Sequence, residues 1–147
     1  MPDQKHNSSI GVGVFTKFPK AGAVKSRLAK SMGSKEAASL YRDILNYFYE
    51  KTLSRLPDQF QIYWLCDPST AERSYQELFK STGFPVKMQK GNDLGEKLCH
   101  GAGLLLNHHD QAFLVGGDCI ELSPAIFKEA SKQLNQHDVC VGPASDG

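Results

Sequence analysis

Lysine and arginine gather near the start of this chain, and carboxylates gather toward its end. From Gln4 to Lys35 there is no aspartate or glutamate, yet Lys5, Lys17, Lys20, Lys25, Arg27, Lys30 and Lys35 all fall there. From Gly91 onward eight acidic residues face only Lys97, Lys128 and Lys132. Such a division suits a polyphosphate ester held together with a divalent metal. Cations and backbone amides grip phosphate oxygens. Magnesium or manganese takes a few carboxylates plus phosphate oxygens. Nearby cations also stabilise charge that develops on a leaving phosphate. Lys17, Lys25 and Arg27 are the candidates for the cationic roles. Asp118 is the first metal candidate, because Gly116 and Gly117 before it allow close backbone approach; Asp146 is the second. The competing reading of separated charge is an ordinary solvated surface. Asp67 precedes Pro68 and also reads as a turn residue, and Asp93 also reads as a helix cap.

These residues need elements to position them. Ile10 to Phe15 is short, apolar and rich in β-branched residues, as a buried strand is. A long basic loop follows. From Ser34, the positions Ala37, Ala38, Tyr41, Ile44, Leu45 and Phe48 recur at helical spacing, and Pro57 limits that helix. Phe60 to Cys66 reads as the second strand. Ser69 and Glu72 have capping-box spacing and open a helix that ends near Gly83. Pro85 to Gln89 is a short third strand. Asp93 can cap a further helix with Leu94, Leu98, Ala102 and Leu105 on one face, weakened by Gly101 and Gly103. Gln111 to Val115 is the fourth strand. Ser123 and Pro124 start a helix that runs to about Asn135, and Asp138 to Val141 is the last strand.

Strands alternating with helices predict an α/β fold: three layers, with a mostly parallel sheet covered by helices on both faces. In such sheets ligands lie outside the carboxyl ends of the strands. The basic loop, Asp67, Gly91 to Asp93, Gly116 to Asp118 and Gly142 to Gly147 would then meet on one edge.

At 147 residues the chain is read as a single domain, residues 1–147, and 40% hydrophobic content is enough for a packed core. A net charge of +1 argues against a general nucleic-acid binder. No apolar run is long enough to span a membrane and the polar start is no signal peptide, so a cytoplasmic location is expected. Cys66, Cys99, Cys119 and Cys140 form no C-x-x-C pair, which argues against a zinc ribbon or redox motif. Cys66 and Cys140 read as small buried hydrophobes in strands, and Cys119 as packing rather than reactive. His108 and His109 read as the exposed end of a helix.

The familiar phosphate motifs are absent. Val24, not glycine, precedes Lys25 and Ser26, so there is no P-loop. Gly11 and Gly13 lie inside a strand without the third glycine of a dinucleotide fingerprint. What remains is a different set. Lys17, Pro19, Gly22, Val24, Lys25, Ser26, Arg27 and Leu28 follow the spacing K-x-P-x-x-G-x-V-K-S/T-R-L. Gly91, Asp93, Leu94 and Gly95 follow G-x-D-L-G. Gly117, Asp118 and Cys119 follow part of a G-S/T-D-C-P segment, and Gly142 to Gly147 follow G-P-A-x-D-G. In these four segments the chain resembles a bacterial family of glycosyltransferase-like proteins in the nucleotide-diphospho-sugar transferase superfamily, whose fold is of the glycosyltransferase A type. Gly117 stands where Ser or Thr is usual, and Ile120 where Pro is usual. The family pattern continues beyond Gly147 with a second glycine and a tyrosine, so the chain is expected to lack its C-terminal part.

The resemblance implies a transferase that binds a nucleotide diphosphate-sugar with Mg2+ or Mn2+ and passes the glycosyl group to an unknown acceptor. It implies nucleotide or phosphate contacts from Lys17, Gly22, Lys25, Arg27 and Asp93, and metal contacts from Asp118 and Asp146. It assigns no catalytic residue. The same fold also serves nucleotidyltransferases, which join a nucleoside triphosphate to a phosphorylated small molecule and release pyrophosphate. A third reading is a non-catalytic domain that binds nucleotide or depends on a partner. An unpaired sheet edge would also favour self-association into a homo-oligomer.

Overall fold

The computed structural model describes residues 8–144. Its sheet has four strands: β1 (Ile10–Thr16), β2 (Phe60–Cys66), β3 (Val86–Met88) and β4 (Gln111–Gly116). All are parallel, in the order β3-β2-β1-β4. The helices are α1 (Ser26–Met32), α2 (Ser34–Lys51), α3 (Glu72–Leu78), α4 (Leu94–Leu106) and α5 (Pro124–Leu134). This is the expected α/β architecture.

Side chains on a strand alternate between the two sheet faces. Ile10, Val12 and Val14 of β1 and Phe60, Ile62 and Trp64 of β2 therefore share one face. They join Tyr41, Leu45 and Phe48 of α2, Tyr75 of α3 and Phe127 of α5 in the main core. Each large side chain fully buried there contributes about 1.5–3 kcal/mol. Trp64 stacks on Phe79 at 4.0 Å between centroids, and its Nε1 donates to Thr82 Oγ1 at 3.0 Å.

The opposite face carries α4 alone among the described helices, and small residues bring it close. A Cβ on Gly101 would lie 3.2 Å from both Leu65 Cδ1 and Phe15 Cζ, and one on Gly11 would lie 2.6 Å from His109 Cδ2. Gly101 is therefore the contact point of the helix with the sheet, not only a weak spot in it. This rotates α4 away from the expected orientation. Gly101 and Leu105 are buried, whereas Leu94 and Leu98 are exposed.

Other expectations are corrected. Within the basic segment the chain forms α1 rather than a continuous loop. Lys25 is its N-cap, in left-handed conformation with φ 50° and ψ 48°. The Ser69–Glu72 capping box does not form, and Ala71 is the N-cap without a side-chain bond. Asp67 draws the chain into a turn instead, its Oδ1 accepting from Ser69 N–H at 3.0 Å. No strand forms at Asp138 to Val141. Val139 and Val141 are 73% and 83% exposed, and Cys140 is exposed too. A strand is held by cross-strand pairs, and no described strand pairs with this segment. His109 is buried, not exposed. Ser9 Oγ lies 2.5 Å from its Nδ1 and Tyr63 OH 2.9 Å from its Nε2, which compensates both ring nitrogens for lost water.

Candidate functional site

The sheet order reverses between β1 and β4, and at such a switch point a crevice opens beyond the strand ends. A cleft of about 480 Å³ lies there, within the size range of small-molecule sites. Thr16 and Lys17 reach it from β1, Asp67 from β2, Gln89 from β3 and Asp118 from beyond β4. Lys25, Tyr41, Asp93, Leu94 and Lys97 complete the working part of its wall.

The basic segment is fixed by its apolar residues. Phe18 packs edge-on against Tyr75 at 5.5 Å, Pro19 is buried, and Val24 belongs to the main core. Lys17 and Lys25 are the neighbours of these anchors, so the anchors place their cations. Lys17 N–H donates to Tyr41 OH at 3.2 Å. Burial pushes the Tyr41 phenol up to about 12, and the nearby Asp118 adds to the shift. The hydroxyl therefore stays protonated at neutral pH.

Lys25 Nζ forms an ion pair with Asp118 Oδ2 and lies 5.7 Å from the centre of the Tyr41 ring. Lys25 is the one non-glycine residue with positive φ among those described. Holding an L-residue there costs about 1–2 kcal/mol. Such strain collects at functional sites, where the surroundings impose it. A second pair, Lys97 Nζ to Asp67 Oδ2 at 3.4 Å, lines the opposite wall. Burial alone would raise the Asp67 carboxyl. The hydrogen bonds from Ser69 and the Lys97 ammonium outweigh it and hold the group below its ordinary value.

Asp93 caps α4, accepting from Glu96 N–H at 2.8 Å. Asn92 N–H in turn donates to Glu96 Oε2 at 2.6 Å. Gly91 has φ 135°, and a Cβ there would stand 2.7 Å from the Lys97 backbone nitrogen, so this tight turn needs glycine. The G-x-D-L-G segment thus sets the start of α4 at the cleft rim.

Of the residues proposed from sequence, the cleft unites Lys17, Lys25, Asp93 and Asp118. Gly22 and Arg27 are exposed and do not line it. Gly22 has φ 81° in a turn closed by Ala23 N–H donating to Lys20 O at 3.0 Å. That geometry accounts for a glycine. Asp146 lies outside the described residues. Tyr41, Gln89 and Lys97 were not singled out by sequence reading. Lys97 and Tyr41 look like ordinary helix residues, but Gln89, a polar residue at the carboxyl end of an expected strand, carried a usable signal.

Among the described residues no three His, Cys, Asp or Glu side chains cluster to hold a metal. Asp118 offers one carboxylate, already shared with Lys25. That donor set fits an ion only if phosphate oxygens and water supply most of its ligands. Burial raises the Cys119 thiol, and Asp118 adds to the shift; burial pushes Cys66 up to about 12. Neither thiol is poised as a nucleophile.

The fold is that of nucleotide-diphospho-sugar transferases. The chain is similar to a crystal structure from Desulfovibrio desulfuricans with the provisional description nucleotide-diphospho-sugar transferase. The TM-score is 0.84 at 28% identity over 95% of this chain. This chain spans 60% of the length of that one. A cytidylyltransferase structure from Leptospira borgpetersenii shares the fold at TM-score 0.59 and 16% identity, covering 88% of this chain and 50% of that one. The chain belongs to the family described as "uncharacterized protein conserved in bacteria (DUF2064)", whose model matches residues 54–147. The match takes in Asp67, Gln89, Asp93 and Asp118 but not the basic segment. No curated protein matches the chain. Among the described residues no helix is long and apolar enough to cross a membrane.

Proposed function

We propose that the cleft binds a nucleotide diphosphate-sugar with Mg2+ or Mn2+ and that the protein transfers its glycosyl group to an acceptor. The observation that carries this reading is the meeting of Lys17, Lys25 and Asp118 at the β1/β4 switch point. In this reading Lys17 and Lys25 neutralise the diphosphate, whose charge grows as the sugar departs. Asp118 holds the metal, which supplies Lewis-acid stabilisation of the leaving diphosphate when bound. Tyr41 stays neutral and holds the Lys17 backbone. Asp93 sets the α4 terminus.

Product analysis tests this. Incubation with a panel of nucleotide sugars and Mn2+ should release a nucleoside diphosphate. Pyrophosphate release from a nucleoside triphosphate plus a sugar phosphate would instead establish nucleotidyl transfer, and binding without turnover a non-catalytic domain. Calorimetry of wild type and Asp118→Asn with metal plus nucleoside diphosphate tests the metal. Equal metal-dependent affinity in both would remove Asp118 from its role.

A further inference from the structure

Gln89 follows β3 at the floor of the cleft and is 9% exposed. Its backbone N–H donates to Cys66 O at 2.8 Å. Its side-chain Nε2 donates to Leu65 O at 2.8 Å and to Thr16 O at 3.4 Å. Both acceptors are carbonyls at strand ends, so the carboxamide nitrogen is committed to rigid partners. No described residue donates to Oε1. Yet no buried side-chain polar atom lacks a partner among the described residues. Oε1 is therefore the end of the carboxamide left open, and the cleft is the space that Gln89 lines.

We infer that Gln89 Oε1 is a fixed hydrogen-bond acceptor that selects ligands by an N–H or O–H group presented at the cleft floor. This rests on the reading of the cleft as a nucleotide diphosphate site. The lysines and Asp118 address phosphate and metal, which all nucleotides share; Gln89 can tell ligands apart. Turning the carboxamide over would set Oε1 against two carbonyl oxygens, a repulsive placement for an acceptor, even though Thr16 O would keep its bond from Asp67 N–H at 2.9 Å. A buried group left unpaired is costly, and sites built on such groups reject mismatched ligands strongly. Ligands that present only an acceptor here are thus excluded. Leu94, on the cleft wall and 66% exposed, offers an apolar surface to a planar ring. A nucleobase N–H is accordingly the donor assigned; a ribose or hexose hydroxyl has the same chemistry and is separated from it by experiment.

The test is calorimetry with UDP, GDP, CDP and ADP in the presence of Mn2+, carried on with whichever binds wild type most tightly. Gln89→Met should weaken that nucleotide about tenfold, the worth of one well-formed hydrogen bond, while pyrophosphate binds unchanged. The nucleotide with every hydrogen on its donor nitrogen replaced by methyl should show the same loss on wild type and no further loss on Gln89→Met. This arm needs no variant to fold. If ribose 5-diphosphate, which has no base, is weakened by Gln89→Met as much as the nucleotide is, the donor is a hydroxyl and base reading is wrong. Unchanged nucleotide affinity in Gln89→Met, with unchanged affinity of wild type for the methylated ligand, overturns the inference. If no nucleoside diphosphate binds wild type, the proposed function fails first and takes this inference with it.

Discussion

Replacing Lys25 by methionine should make the protein bind Mn2+ more tightly on its own and bind nucleoside diphosphate less tightly. The opposite signs follow from the ion pair with Asp118. Without ligand, the ammonium sits on the carboxylate that a metal would use, so free metal must displace it. The two side chains are 25% and 47% exposed, and water screens such a pair to about 0.2–1 kcal/mol. The Tyr41 ring, 5.7 Å from Nζ, steadies the ammonium by about 0.5 kcal/mol. Freeing Asp118 should therefore improve affinity for Mn2+ alone about three- to twelvefold. A charge-assisted bond to phosphate contributes about 1.5–3 kcal/mol, so nucleoside diphosphate with metal should bind about ten- to a hundredfold more weakly. Asp118→Asn is the mirror case. Pyrophosphate without metal should bind about two- to fivefold tighter, and the gain on adding metal should vanish. Calorimetry at low ionic strength is the assay, since salt weakens half-exposed pairs. Unchanged or lower Mn2+ affinity in Lys25→Met would refute the competition between ammonium and metal.

Three further outcomes follow from local geometry. Lys25→Gly should be more stable than Lys25→Met by about 1 kcal/mol and so melt at a higher temperature, because glycine relieves the left-handed backbone; equal melting temperatures would show no strain. Burial, aided by His108, pulls the His109 pKa below its ordinary value, and Asp110 only partly opposes this. The unfolded chain therefore binds the proton first as pH falls, and stability should decline from about pH 6.5 downward. His109→Gln should flatten that decline in pH-dependent melts. Gly11→Ala should cost about 1–3 kcal/mol, because the His109 ring it meets is held at both nitrogens. Denaturant titrations should show a smaller cost in a His109→Ala background.

β1, β2 and β4 were legible because each is a short, mostly apolar run, and β3 from its alternation of Val86 and Met88 about Lys87. β1, β2 and β4 match the expected bounds to within a residue at an end, and β3 loses only Pro85 and Gln89. The position of the cleft was legible too, since parallel topology fixes which loops share an edge. Three features were not. α1 has no buried residue, so no apolar periodicity marks it. The Asp138–Val141 run is apolar like a strand, but strand formation needs a partner that local sequence does not encode. The turn of α4 toward Gly101 came from close approach, which a search for apolar stripes cannot register. Within the site, charge separation pointed to Lys17, Lys25 and Asp118, whereas Gln89 depends on which of its amide atoms is already bonded. Arg27 shares the sequence neighbourhood of Lys25, but α1 carries it away from the cleft wall.

The strand order also governs when this protein can begin to fold. β1 is made before both of its partners, since Ile10 pairs with Phe60 on one side and with Gln111 on the other. The β1–β2 ladder can close once Cys66 is made, but the β1–β4 ladder must wait for Gly116, so α4 first meets only the β1–β2 part of the sheet. Distant pairing of this kind slows folding and leaves apolar segments exposed in the interval. Until both partners arrive, the nascent Ile10–Thr16 segment keeps apolar side chains and backbone hydrogen-bonding groups unpaired.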